Sequence, residues 1–263
     1  MRNLMSRNAT TFYIRQSKSL TMNKAILFLL PFAIMSCKKK DNATDNVPDV
    51  YRKIYGATSI TADNDYVYIK TNGTPDHKSA YYPMSNSLYE NFSGTTFGGN
   101  TFSKNPNEIA SQNYTFKIPL NPTEAANHAA TPLGAIGVSL DGVPFFNQYA
   151  GPSQPLTTEI VSFDQWWGHP QQQGAYHYHV EPLYLTTVKA SKSSLLGFLL
   201  DGFPVYGTEE NGVLVADSLL DDYHGHTTAT ADFPNGIYHY HITSDAPYIN
   251  GNGFYGTPGT VSN

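Results

Sequence analysis

Tyr176-His177-Tyr178-His179 and Tyr238-His239-Tyr240-His241 each set two imidazoles two residues apart. On an extended strand, positions i and i+2 share one face and lie about 7 Å apart. Each histidine pair can therefore converge on one metal ion while the tyrosines occupy the opposite face. A Gly-His lies upstream of each pair, at His169 and at His226, and brings a third imidazole. Asp164 and Asp221 stand five residues before those two histidines. A carboxylate there can ligate, can accept the second N–H of an imidazole, or can cap a turn. His77 follows Asn72-Gly73-Thr74-Pro75-Asp76 in a constrained turn and is a further candidate ligand. The plain alternative is a half-exposed strand, with tyrosines packed inward and histidines in water. The doubled spacing favours metal.

Imidazole and imidazole-plus-carboxylate sets suit zinc, copper or iron. Zinc with an open position would activate water for hydrolysis; copper or iron would bring oxygen or electron chemistry. No His-Glu-x-x-His and no Gly-rich phosphate loop is present to choose among these.

The elements that must position these groups are repeated. Gly137-Val138-Ser139-Leu140-Asp141-Gly142-Val143-Pro144 aligns with Gly197-Phe198-Leu199-Leu200-Asp201-Gly202-Phe203-Pro204, and the Gly-His and Tyr-His-Tyr-His blocks follow in the same order, 57 to 62 residues apart. This reads as a tandem duplication, with segments 136–181 and 196–243 related by a pseudo-two-fold axis. Asp-Gly between apolar runs signals a hairpin, so Asp141 and Asp201 are expected as turn formers. Facing Tyr-His-Tyr-His strands would complete a tetrahedral site, so the expectation is one shared centre. The competing arrangement is two centres, one built from His169, His177 and His179 and the other from His226, His239 and His241. Upstream, strands are expected at residues 65–70 and 113–120, a long loop over 82–105, and helical turns at 107–112 and 123–127.

The chain has 263 residues, 14% charged and 13% aromatic, with 19 tyrosines. Few charges and many Tyr, Gly and Pro argue for a mainly β, compact β-sandwich-like domain with long loops, and the absence of a basic cluster argues against nucleic acid. Residues 1–36 read as a signal peptide with its start at Met22: Lys24 precedes an apolar run too short to span a bilayer, and Ser36-Cys37 follows. Cys37 is the sole cysteine and is expected to carry lipid, anchoring the protein to a membrane. Loss of residues 1–36 removes five basic residues and no acid, which moves the net charge from −5 to −10. Residues 37–50 are expected as a flexible tether, and 257–263 as a tail.

With these blocks in view, the chain resembles the YHYH domain family of secreted bacterial and some eukaryotic proteins, over residues 51–256. The resemblance implies that His177, His179, His239 and His241 matter; it implies no substrate. Relatives often carry a cysteine in the Gly-His block, where this chain has Trp166 and Tyr223, so no role of that cysteine carries over. The Cys37-Lys38-Lys39-Lys40-Asp41 start resembles Bacteroidetes lipoproteins, which implies an outer-membrane lipoprotein, periplasmic or surface-exposed. Two functions follow. One is an exported metal protein with a histidine-rich site, open to catalysis. The other is a non-catalytic surface module that binds glycan or protein through Tyr81, Tyr82, Trp166, Trp167 and Tyr223, with a structural metal or none.

Overall fold

The computed structural model describes residues 46–263; the leader, Cys37 and most of the tether lie outside the described residues. The chain enters through β1 (Ala57–Ala62), β2 (Tyr66–Thr71) and β3 (Tyr114–Pro119). The first repeat holds β4 (Ala135–Ser139), β5 (Pro144–Phe146), β6 (Tyr149–Ala150), β7 (Gln154–Pro155), β8 (Gly168–Pro170) and β9 (Tyr176–Tyr178). The second holds β10 (Leu195–Leu199), β11 (Pro204–Tyr206), β12 (Glu209–Glu210), β13 (Val213–Leu214), β14 (Gly225–Thr228) and β15 (Ile237–His241). β16 (Thr260–Ser262) ends the chain. The protein is mainly β.

A four-stranded sheet runs β1-β2-β3-β16, and an eight-stranded sheet runs β14-β15-β11-β10-β4-β5-β9-β8. Val67, Ile69, Phe116 and Ile118 of the first and Ile136, Val138, Phe145, Leu196 and Phe198 of the second share one hydrophobic core, as stacked sheets in a sandwich do. The expected tail pairs with β3 as β16, and Val47, within the expected tether, is already buried. Neither expected helical turn forms; one-turn 3-10 segments stand elsewhere, including Phe97–Gly99 and Leu156–Thr158.

The eight-stranded sheet reads the same from both ends. Its midline is the antiparallel pair β4 and β10, in which Val138 faces Phe198, its own counterpart. Each hairpin carries the same register shift, at Ala135/Gly137 and at Leu195/Gly197. Outward from the midline, β5 pairs β9 in parallel and β11 pairs β15 in parallel. β8 and β14 then close the edges antiparallel. A parallel neighbour needs a long crossover, and each repeat uses that crossover to carry a two-stranded hairpin, β6-β7 or β12-β13.

Candidate metal centres

Register explains the Gly-His. In the first half His169 lies opposite His177, so the third imidazole joins the face already occupied by His177 and His179. In the second half His226 lies opposite His239 in the same way. Two groups result, His169, His177 and His179, and His226, His239 and His241 with Glu210. The expectation of one shared centre is not met. β9 and β15 lie five strands apart in the sheet, roughly 24 Å at the usual strand spacing, because each Tyr-His-Tyr-His strand pairs within its own repeat. The histidines are not in water either: His177 is 2% exposed, His179 3%, His239 0% and His241 1%.

The hydrogen bonds set the tautomers. His177 Nδ1 donates to the Ala175 carbonyl at 3.0 Å, and His179 Nδ1 to the Asn147 carbonyl at 2.5 Å. Ser162 Oγ spends its proton on the Glu159 carbonyl and so accepts from His169 Nδ1 at 2.7 Å. All three Nε2 atoms are left with lone pairs, and they point at one another: 3.1 Å from His169 to His177, 2.9 Å from His177 to His179. Two nitrogens each about 2.1 Å from a common ion, and about 95° apart around it, would stand about 3.1 Å from each other. The second half repeats this with Nδ1 of His239 on Ile237 and of His241 on Gly207, and Nε2 atoms 3.1 Å apart. Burial holds these imidazoles neutral, pushing His179 and His239 down to about 4 and lowering His169, His177 and His241. Neutral imidazoles with their N–H groups committed elsewhere have no proton to share at the point of convergence. These groups could hold a metal ion.

A carboxylate attends each triad. Glu159 Oε2 is 3.7 Å from His169 Nε2 and 3.9 Å from His179 Nε2. Glu210 Oε1 is 3.6 Å from His226 Nε2 and 3.8 Å from His239 Nε2. Burial raises Glu159. Burial also acts to raise Glu210, but a hydrogen bond from Thr228 and the nearby imidazoles outweigh it and leave it lowered. The two glutamates are not counterparts. They stand 51 residues apart, outside the 57 to 62 residues that separate matching positions of the two repeats. Each half brings in its carboxylate from a different point of its crossover.

The opposite face has its own rule. Tyr176 donates to Asp164 at 2.9 Å, and Tyr178 to Asp141 at 2.8 Å. Tyr238 donates to Asp221 at 2.9 Å, and Tyr240 to Asp201 at 2.5 Å. Every tyrosine of the doubled motif thus ends on an aspartate of an earlier block. Burial raises Asp141 and Asp164, and pushes Asp201 up to about 6. The glycine of each Gly-His lies beneath a tyrosine: a Cβ on Gly168 would stand 2.5 Å from the Tyr176 hydroxyl, and one on Gly225 2.4 Å from that of Tyr238.

A family model described as YHYH protein matches residues 115–213 and 208–253. The chain belongs to the YHYH family. No curated protein and no solved structure matches it. In this YHYH protein the first matched segment carries the triad of His169, His177 and His179, and the second carries that of His226, His239 and His241.

Asp164 and Asp221 do not join the triads. Both sit on the tyrosine face and cap the turns that lead into the Gly-His: Asp164 accepts from the Trp166 and Gly168 amides, Asp221 from those of Tyr223 and Gly225. In these turns Trp167 and His224 occupy the same left-handed position, with φ of 65° and 73°. His77 also lies on the tyrosine side, with Nδ1 on the Lys78 carbonyl at 3.0 Å and Nε2 3.1 Å from the Tyr178 hydroxyl. Asp141 and Asp201 are turn formers, as expected, and buried tyrosine acceptors besides. Of the aromatic residues named as a ligand platform, Tyr81 and Tyr82 are core, 0% and 5% exposed.

Proposed function

We propose that this YHYH protein is a cell-envelope lipoprotein that carries two transition-metal centres, each of three imidazoles attended by a carboxylate. The convergence of three bare Nε2 atoms, with each Nδ1 of the first triad committed to a neighbouring oxygen, carries this reading. A carboxylate drawn from a different position in each half to within 4 Å of two imidazoles supports it, since packing alone gives no reason to bring an acid to both triads. The donor set suits zinc, copper or iron. Metal analysis after reconstitution of the mature chain with each of the three tests it: about two tightly bound ions are expected, and none with any metal would overturn it.

The envelope assignment rests on the sequence, with its short apolar run ending at Cys37. Cys37→Ala should abolish lipid labelling and move the protein out of the membrane fraction. Unchanged processing and fractionation in that variant would remove the assignment.

A further inference from the structure

We infer that the two centres divide the work: the ion at His169, His177 and His179 exchanges ligands and takes the carboxylate end of a small molecule, while the ion at His226, His239 and His241 is held by its own protein donors. This rests on the metal reading above.

A cleft of about 810 Å³ lies against the first centre, and all three of its imidazoles and Glu159 line it. That volume suits a small organic ligand. None of the donors of the second centre lines this cleft. There, Glu210 stands with its oxygen within 4.8 Å of the ligand nitrogens of all three imidazoles, and Thr228 donates to it. Four donors so gathered fill a tetrahedral shell. Glu159 instead meets the nitrogens of His169 and His179, and no described side chain donates to its carboxylate. Three imidazoles with a free direction toward a cleft form the arrangement that lets a bound metal accept an outside ligand.

Charge names the ligand class. A divalent ion among neutral imidazoles leaves positive charge at the cleft floor, which Glu159 offsets only in part. Lys104 lines the same cleft, is exposed, and has no ion-pair partner among the described residues. The other walls include the uncharged Asn105, Asn107, Gln171 and Tyr149. One anionic end on an otherwise neutral molecule matches this lining.

The test uses the mature chain loaded with cobalt(II), titrated with azide and with benzoate and followed by visible absorption. Two ions should bind, and half of the cobalt signal should respond saturably. The response should vanish in His177→Ala and persist in His239→Ala. Lys104→Glu, an exposed change away from the ligands, should keep both ions and weaken benzoate several-fold, which keeps the test sound if a histidine variant misfolds. Two bound ions that both respond alike, or of which neither responds, would overturn the division of labour and leave the metal reading standing. So would a response that survives in His177→Ala, or an unchanged benzoate affinity in Lys104→Glu. Failure to bind any cobalt would overturn the division of labour, and failure to bind zinc, copper or iron as well would overturn the metal reading with it.

Discussion

Ser162 shows how much of the site is decided one proton at a time. Its hydroxyl has a single hydrogen, and the Glu159 carbonyl takes it. The imidazole of His169 must then donate through Nδ1, and its Nε2 turns bare toward His177. Nothing in the spacing of the sequence announces Ser162; it arrives on the one-turn segment Ile160–Ser162, seven residues before its partner. The six histidines were legible because two of each three stand at i and i+2 and the third follows a glycine upstream of each pair. The aspartates were half legible. Their place before each Gly-His is real, but Asp164 meets Tyr176, Ser79 and two turn amides, and no metal triad. Asp164→Ala should therefore leave metal content at about two ions per chain. It should cost stability, about 1–3 kcal/mol, because it strands buried donors. Chemical denaturation and metal analysis on the same sample check this. Loss of one ion with stability unchanged would make Asp164 a ligand after all.

At the scale of elements, the Tyr-His-Tyr-His strand is a two-sided device. Its histidine face needs a partner strand in register, and its tyrosine face needs an aspartate for each ring. The hairpin Asp supplies the acceptor for Tyr178 or Tyr240, and the turn Asp supplies the other, for Tyr176 or Tyr238. This is why the blocks recur together and in order. The glycine before each third histidine belongs to the same device, since a tyrosine ring crosses it. Gly168→Ala should force that ring aside and destabilise the fold by about 1–3 kcal/mol, read as a lower denaturation midpoint. A midpoint equal to that of the parent chain would show that the ring has room to move. The carboxylates of the two centres escaped a reading by repeats because they break the repeat: Glu210 sits at the Asn211-Gly212 turn of β12-β13, whereas Glu159 follows β6-β7. An acid beside a turn signal is common, so neither position stood out.

Over the whole molecule, the pseudo-two-fold pairing of β4 with β10 makes one sheet of two repeats and sends the two histidine faces toward opposite ends of it. The duplication was legible, but the placement of its halves was not. Facing strands and distant strands share one sequence pattern, and only the parallel pairings β5-β9 and β11-β15 decide between them. The buried titratable groups set a pH dependence. The imidazoles of His169, His177, His179, His224, His239 and His241 are all lowered in the fold, chiefly by burial. Their contribution is present above the ordinary histidine value of about 6.5 and is lost as pH falls toward about 4. Asp141, Asp164 and Asp201 are raised and act the other way, with Asp201 losing its contribution as pH rises through about 6. The histidines outnumber them. The metal-free protein should therefore melt at lower temperature at pH 4.5 than at pH 7, and a scan that shows the reverse would mean that the aspartates dominate.

The central claim is two independent metal centres in one chain, and ion stoichiometry across paired variants tests it most directly. The parent mature chain should hold about two ions. His177→Ala and His239→Ala should each hold about one, with the affinity of the surviving ion unchanged, and the double variant should hold none. A single ion in the parent that either substitution weakens equally would contradict the account, because that is the behaviour of one shared centre.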